Sequence, residues 1–257
     1  MIQASQRQRP KVSTGRARRP PRDAAPVQYH VSMDDKGTAH IRYSHELEQQ
    51  SALVDMTKEK TTKVADRIDS ALLQMCDCVP ASNQNRPNRF ETLADSLTAL
   101  GQRLPVDSSY GATLMCANRA VRLSGSEQRK LQRQVQAEVV TPLRAWITAD
   151  YAKIARERQT LNQVRLSVEA AIQRANKANA PPKAQEQLDS LNKQYHRQEQ
   201  KVMQLMAALP KQHEQHRKCM VHLLQLLDQF HQLCSQAVRQ SLQSVDVVCH
   251  SSTAAAS

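Results

Sequence analysis

Apolar residues return at every seventh position along most of this chain. Leu47, Val54, Thr61, Ile68 and Met75 stand at strict seven-residue steps, with Val64 and Ala71 at the companion spacing. Such a row predicts a coiled-coil-like helix starting near His45. Val79-Pro80 and the polar run 82–88 end it, and a short helix from Phe90 to Leu104 follows. Gly101, Pro105 and Gly111 mark the next break. From Ser109 to Lys177, roughly 69 residues hold one Gly (Gly125) and one Pro (Pro142); as a single helix this stretch is on the order of 100 Å long. Its second half shows Ile147, Ile154, Leu161, Val168 and Ala175 every seven residues, interleaved with Tyr151 and Ile172. Ala180-Pro181-Pro182 forces a turn. A third long helix is predicted from Lys183 to Val245, with the stripe Leu188, Tyr195, Val202, Leu209, His216, Leu223, Phe230 and, beside it, Leu191, Leu205, Leu227 and Cys234.

Pro142 and Pro210 each sit inside a helical pattern without loop residues around them. A proline there removes one backbone hydrogen bond and clashes with the preceding turn, so a bend is predicted at each. The expected fold is all-α: a long, kinked, antiparallel three-helix coil. Its narrow apolar stripe continues past what one chain covers. The segments Leu47–Val79 and Leu223–Val245, far from the turn at Pro181, are therefore expected to bury against a second copy in a two-fold dimer. Leu47, Val54, Ile68, Met75, Leu223, Leu227 and Phe230 are the candidate residues of that core and dimer stripe.

The ends differ from the middle. Arg7, Arg9, Lys11, Arg16, Arg18, Arg19 and Arg22 fall in residues 1–22 with no acidic residue, and Pro10, Pro20, Pro21 and Pro26 break any helix. Residues 1–45 are expected as a disordered basic tail, 46–246 as the helical domain, and 247–257 as a disordered small-residue tail. Pro20-Pro21 after Arg18-Arg19 hints at a protein partner that binds proline, although no full P-x-x-P is present.

Composition narrows the function classes. The chain has 257 residues, 3% aromatic side chains and 5 Gly, which argues against a β-sandwich or barrel. The net charge of +12 favours polyanionic partners, either an anionic membrane face or nucleic acid. No stretch is apolar enough to span a bilayer, and no signal-peptide core precedes the basic tail. The 6 cysteines are irregularly spaced, as expected for reduced thiols in a cytosolic protein. His213, His216, Cys219 and His222 stand three apart on one helix. Each three-residue step rotates about 60° off the face, so the four cannot converge on one ion. Cys76-Asp77-Cys78 has no partner pair for a zinc knuckle. There is no Gly-rich phosphate loop, no G-x-S-x-G and no convergent carboxylate pair, so a non-enzyme without cofactor or metal is expected.

The run Glu138-Val139-Val140-Thr141-Pro142-Leu143 resembles the kink of the second helix in BAR (Bin/amphiphysin/Rvs) domains. Leu93-Ala94-Asp95-Ser96-Leu97, Leu100-Gly101 and Tyr110-Gly111-Ala112-Thr113-Leu114 resemble the interrupted stretch ahead of it. Residues 194–202 and 216–227 are similar to the family's final helix. The likeness covers about residues 45–246 and is nearest to endophilins and to nadrin-type Rho GTPase-activating proteins. It implies a crescent-shaped homodimer, cytoplasmic and peripheral to the membrane. Such a dimer binds anionic phospholipid through a concave basic face and senses or generates curvature in endocytosis or vesicle traffic. The family's tip cluster falls on Arg174 and Lys177, followed by Lys183, Arg165, Lys193 and Arg197, with Arg158 and Lys153 on the same flank. Two departures stand out: no amphipathic wedge helix in residues 1–45, and no Src-homology-3 or GTPase-activating domain in the sequence after the helices.

Two other readings remain open at this point. One is a dimeric coiled-coil scaffold without lipid affinity. The other is a basic helical protein that binds nucleic acid, which the scarcity of aromatic residues for stacking disfavours.

Overall fold

The computed structural model describes residues 30–33, 39–76, 86–177 and 182–255. Two strands, β1 (His30–Met33) and β2 (Ala39–Arg42), precede seven helices: α1 (His45–Cys76), α2 (Arg89–Gly101), α3 (Ser109–Val135), α4 (Thr141–Trp146), α5 (Ala152–Ala175), α6 (Pro182–Met206) and α7 (Leu209–Ala255). They form three long members side by side. The central one is α3, α4 and α5 in series, joined without a loop by two π-helical turns, Gln136–Val140 and Ile147–Tyr151. The third is α6 followed by α7, running antiparallel to it. The first is built from three separate pieces.

Those pieces follow one another along the central member. The hairpin lies at one end, where the Ile41 amide donates to Glu169 Oε1 at 2.8 Å. Next, Tyr43 meets Asn162 at the start of α1, Asp55 meets Arg158, and Asp66 and Asp69 both meet Arg144. Gln128 reaches the Met75 carbonyl near the end of α1. From there α2 takes over, with Asn88 Nδ2 donating to the Gly125 carbonyl at 2.8 Å and Asn118 Nδ2 to the Ala94 carbonyl at 3.0 Å. The hairpin thus covers the central member beyond the first turn of α1, and α2 covers it beyond the last.

Two apolar clusters hold the members together. One joins the hairpin, the first half of α1, α5 and α6 through Ile41, Leu47, Val54, Trp146, Ile154, Leu161, Val168, Tyr195, Val202 and Met206. The other joins the second half of α1, the Pro142 region and α7 through Ala65, Leu72, Leu131, Val135, Val139, Val140, Leu143 and Leu226.

Both prolines are accommodated, in different ways. Before Pro142 the backbone widens into a π turn: the Thr141 amide donates to the Gln136 carbonyl five residues back, and Thr141 Oγ1 donates to the same oxygen at 2.7 Å. In a regular helix a proline ring at 142 would meet the carbonyl of residue 138, and the π turn widens the backbone just there. At Pro210 the helix does end. Ala207 and Ala208 close α6 with bonds to Met203 and Leu205, and Pro210 falls in the first turn of α7, where a missing N–H costs nothing. The single third helix expected over 183–245 is therefore two helices. The second continues to Ala255, because the Ser/Thr/Ala run after 250 holds no Gly or Pro to stop it.

Three further expectations change. The short helix spans Arg89–Gly101 rather than Phe90–Leu104. The stretch 1–45 contains the antiparallel β1–β2 pair, in register His30 to Arg42, with Ala39 and Ile41 buried; the expectation for residues 1–29 lies outside the described residues. In α1 the companion positions Val64 and Ala71 face outward, whereas Thr57, Ala65 and Leu72 are buried. The step from Val54 to Ala65 is eleven residues rather than a multiple of seven, so the seam shifts part-way along the helix. The breaks expected around Val79-Pro80 and Ala180-Pro181 lie outside the described residues.

The N-terminus of α2 shows how closely the pieces fit. Asn88 caps it, accepting from the Glu91 amide at 2.9 Å, while Glu91 accepts from the Asn88 amide at 2.9 Å. Glu91 also pairs with Arg129 of α3. A Cβ on Gly125 would lie 2.9 Å from Glu91 Cγ and 3.0 Å from Asn88 Oδ1. Alanine gains about 1 kcal/mol of helix propensity over glycine, while forced overpacking costs about 1–3 kcal/mol. Gly125→Ala is accordingly expected to lower stability by about 1 kcal/mol in urea unfolding. A gain in stability would show that the cap yields freely.

Candidate functional site

The end of the arm, where α5 gives way to α6, carries the exposed cations. Arg174, Lys177 and Lys183 flank the turn, and Lys193, Arg197 and Lys153 lie further back, all exposed. Arg174 keeps one link to its own helix, from Nε to the Ala170 carbonyl at 3.1 Å. Lys193 and Arg197 are four apart and share one face of α6.

Two of the expected lipid contacts are engaged inside the chain instead. Arg158 donates to Asp55 at 2.8 Å, and its side chain is 32% exposed. Arg165 donates to the Ile41 carbonyl at 3.1 Å and to Asn162 at 2.9 Å, pairs with Glu169 at 3.5 Å, and lies 5.2 Å over the Tyr43 ring. These two hold the first member to the central one. Lys201 is likewise tied, to Glu157 at 2.8 Å, and that bond holds the carboxyl below its ordinary range.

A second row of cations was not singled out from the sequence. Arg119, Arg122 and Arg133 are exposed on α3, and α3 carries no acidic residue before Glu127. Arg122 reaches Asp95 of α2 at 2.8 Å. The absence of acidic residues over 109–126 was the available signal.

Exposed apolar side chains gather at the opposite end. Val64, Leu73 and Met75 of α1, Phe90, Leu93 and Leu100 of α2, and Val221, Leu224, Val238 and Leu242 of α7 are all exposed, Leu224 and Leu242 by 65% and 59%. In the arm, Leu166 of α5 and Leu53 and Met56 of the first half of α1 are exposed as well. The expected core and dimer stripe divides accordingly. Leu47 and Val54 are buried within the chain's own arm cluster, so they are core. Ile68, Leu223, Leu227 and Phe230 are half-buried against the second cluster, and Met75 is exposed.

Between the two ends, α7 places histidines against α1 and the Pro142 turn. His213 Nε2 lies 3.0 Å from Thr57 Oγ1, and His216 Nδ1 lies 3.5 Å from Thr61 Oγ1. The edge of the His216 ring meets Trp146 at a centroid distance of 5.3 Å. His222 Nε2 lies 2.6 Å from Glu138. Cys219 packs against the second cluster, and burial pushes its thiol pKa up. The four residues of the His213–His222 series thus face separate partners. No helix among the described residues is long and apolar enough to cross a membrane.

The profile of the BAR domain matches residues 30–246, from β1 through most of α7. The chain belongs to the BAR domain family. The family is one of membrane-curvature proteins, and the match takes in the hairpin, which the boundary expected at residue 46 leaves out. Among curated proteins the BAR domain is similar to Endophilin-B1 of Homo sapiens, 25% identical over 173 residues that make up 66% of this chain and 47% of that protein. It is also similar to Endophilin-B2 of Rattus norvegicus, 30% identical over 115 residues, 44% of this chain and 28% of that protein. The chain spans about half the length of the Endophilin-B1 it matches. Among solved structures, the N-terminal I-BAR domain of D. discoideum IBARa aligns at 15% identity and a TM-score of 0.46, covering 81% of this chain and 92% of that one.

The histidine contacts of the BAR domain make its stability depend on pH. Burial, with a smaller contribution from His213, lowers the His216 pKa. The folded state then binds fewer protons than the unfolded one, so His216 favours folding above about pH 6.5 and opposes it below. For His222 the bond to Glu138 raises the pKa. Its contribution has the opposite sign: present below about pH 6.5 and lost as pH rises through the raised value. His216→Phe is therefore expected to lose less stability between about pH 7 and about pH 5 than the native chain does in urea unfolding. Equal losses would show that His216 titrates without strain.

Proposed function

We propose that this BAR domain acts as a two-fold dimer that binds anionic membranes and senses or generates their curvature in endocytosis or vesicle traffic. The observation that carries the reading is the division of the surface. Most of the exposed apolar residues of α1, α2 and α7 gather at one end, and exposed lysines and arginines gather at the other.

A soluble chain exposes large contiguous apolar surface mainly where a partner covers it. Val64, Met75, Leu224 and Leu242 lie on helices whose other faces already hold the second cluster, so a second copy joined there would lie alongside the first and run in the opposite direction. Two-fold pairing at this end sends the two arms outward with their cations at the far tips. Each Lys or Arg near an anionic surface contributes about 1 kcal/mol of attraction. Arg174, Lys177 and Lys183 from each protomer are the first candidates, with Lys193, Arg197 and Lys153 behind them. The row Arg119 and Arg133 on α3 adds cations nearer the dimer centre. A rigid charged rod gains most where the lipid surface follows its shape, which is the physical basis for a curvature preference.

The test is co-sedimentation of the full chain with phosphatidylserine vesicles, with light scattering for the oligomeric state. The native chain is expected to be a dimer that binds at low salt and releases at high salt. Replacing Arg174, Lys177 and Lys183 together with Gln is expected to weaken binding about 10–100-fold while leaving the dimer intact. Leu224→Glu is expected to yield monomers. A dimer indifferent to vesicles would leave a coiled-coil scaffold, and a monomeric native chain would remove the reading altogether.

A further inference from the structure

One exposed stripe of α7 reads almost the same from either end. Val221, Leu224, Asp228, His231, Ser235, Val238 and Leu242 follow one another at alternating steps of three and four residues, so they share a face of the helix, and all of them are exposed. Two apolar residues stand at each end and three polar ones in the middle. Turned end for end about His231, Val221 falls on Leu242, Leu224 on Val238 and Asp228 on Ser235, each to within one residue. The stripe holds no lysine or arginine that would favour an anionic surface. Gln225, Gln229, Gln232, Gln236 and Gln243 occupy the neighbouring solvent-facing side. The partner that matches such a stripe is a second copy of the same helix running antiparallel, which sets apolar on apolar and polar on polar.

The first member points to the same centre. His222 lies 2.6 Å from Glu138. Nine residues further along α7 is His231, and nine back from Glu138 on the antiparallel α3 is Arg129. Arg129 pairs with Glu91 in the first turn of α2, and the adjacent Gln128 reaches the Met75 carbonyl in the last turn of α1. The height of His231 is therefore the joint between α1 and α2. A two-fold axis there lays α1 of one copy along α2 of the other. Val64 lies near the height of Arg144, which pairs with Asp66, and Arg144 is fifteen residues after Arg129. Leu100 lies near the height of Met115, whose thioether sits beside Gly101, and Met115 is fourteen residues before Arg129. The two exposed residues thus stand about 22 Å and about 21 Å from the axis, on opposite sides of it. Leu73 and Met75 likewise come level with Phe90 close to the axis.

We propose that His231 lies on the two-fold axis of the dimer and sets its register, with α7 packed antiparallel on the partner's α7 and the exposed apolar residues of α1 covered by those of the partner's α2. The proposal rests on the two-fold dimer read above. A polar residue at the centre of an apolar seam fixes alignment because a slip places it against apolar neighbours. A slip of seven residues here lays Leu224 on His231 of the partner subunit and Val221 on Ser235 of the partner subunit.

The experiment follows the dimer dissociation constant of the full chain by light scattering over a dilution series, with helical circular dichroism to confirm that each variant folds. Leu224→Glu is expected to weaken the dimer at least about tenfold, and Val238→Lys added to it to recover about tenfold, because each new Glu then faces the partner's new Lys. The two positions are fourteen residues apart, about 21 Å, so they do not meet within one chain. His231→Glu sets two carboxylates against each other on the axis and is expected to weaken the dimer at least about tenfold, whereas Gln236→Glu on the polar side changes it less than about twofold. A double variant no tighter than Leu224→Glu would overturn the register while leaving a dimer. Equal losses from His231→Glu and Gln236→Glu would remove His231 from the axis. A parallel pairing would set Glu on Glu and Lys on Lys, and the double variant would then dissociate further than the single one, also overturning the proposal. A monomeric native chain would remove both this register and the dimer reading. Recovery in a chain that ignores phosphatidylserine vesicles would uphold the register and overturn the membrane reading alone.

Discussion

The central helix has to pass through Pro142 without stopping. The helices α1 and α7 both pack against the central member on either side of this point, so a loop here would leave them without a continuous partner. The π turn of Gln136–Val140 keeps the backbone helical, and the Thr141 hydroxyl and amide both satisfy the Gln136 carbonyl. Val139 and Val140 of that same turn are fully buried in the second cluster. Accommodating the proline and packing against α1 and α7 are thus done by the same five residues.

Burial is distributed unevenly around this helix. In the arm, α5, α6, the first half of α1 and the hairpin close over a cluster that includes the single Trp and a fully buried Tyr195. Polar and charged residues cover most of its outside, with Leu53, Met56 and Leu166 exposed among them. Toward the other end the second cluster is smaller in its side chains, and apolar residues remain outside it. One chain completes its own arm and leaves its other end incomplete. The ion pairs follow the same logic. Arg144, Arg158 and Arg165 each tie α1 or the hairpin to the central member, at spacings along it that one continuous apolar seam in α1 does not cover.

The heptad rows were legible wherever a helix packs along its whole length against one neighbour. Ile154, Leu161, Val168, Tyr195 and Val202 are buried as their spacing predicts. The row in α1 was legible only in part, because that helix changes neighbours from α6 to α7 as it runs, and the seam rotates with it. The hairpin was not legible: four residues per strand give too short an alternation, and the residue that anchors it, Glu169, is 128 positions away from Ile41. The same distance problem hid the roles of Arg158 and Arg165. In a basic stretch they look like their neighbours, and only the fold brings Asp55 and the Ile41 carbonyl to them. Pro210 shows a local ambiguity: nothing in the sequence around it distinguishes a bend from a restart.

The joints of the three members are staggered. The gap between α1 and α2 falls beside unbroken stretches of α3 and α7, and the change from hairpin to α1 falls beside unbroken α5 and α6. At the elbow two joints nearly coincide, since Met206 lies near Ser51 and Tyr151 meets Asp55, which brings the end of α6 level with the second π turn. There α1 alone runs through without interruption, as a splint does across a fracture. Mechanically the rod is a laminated beam in which one lamina carries the bending load at its weakest section. The stiffness of that section is set by how firmly α1 is glued on each side, by Thr57 to His213 and by Asp55 to Tyr151 and Arg158.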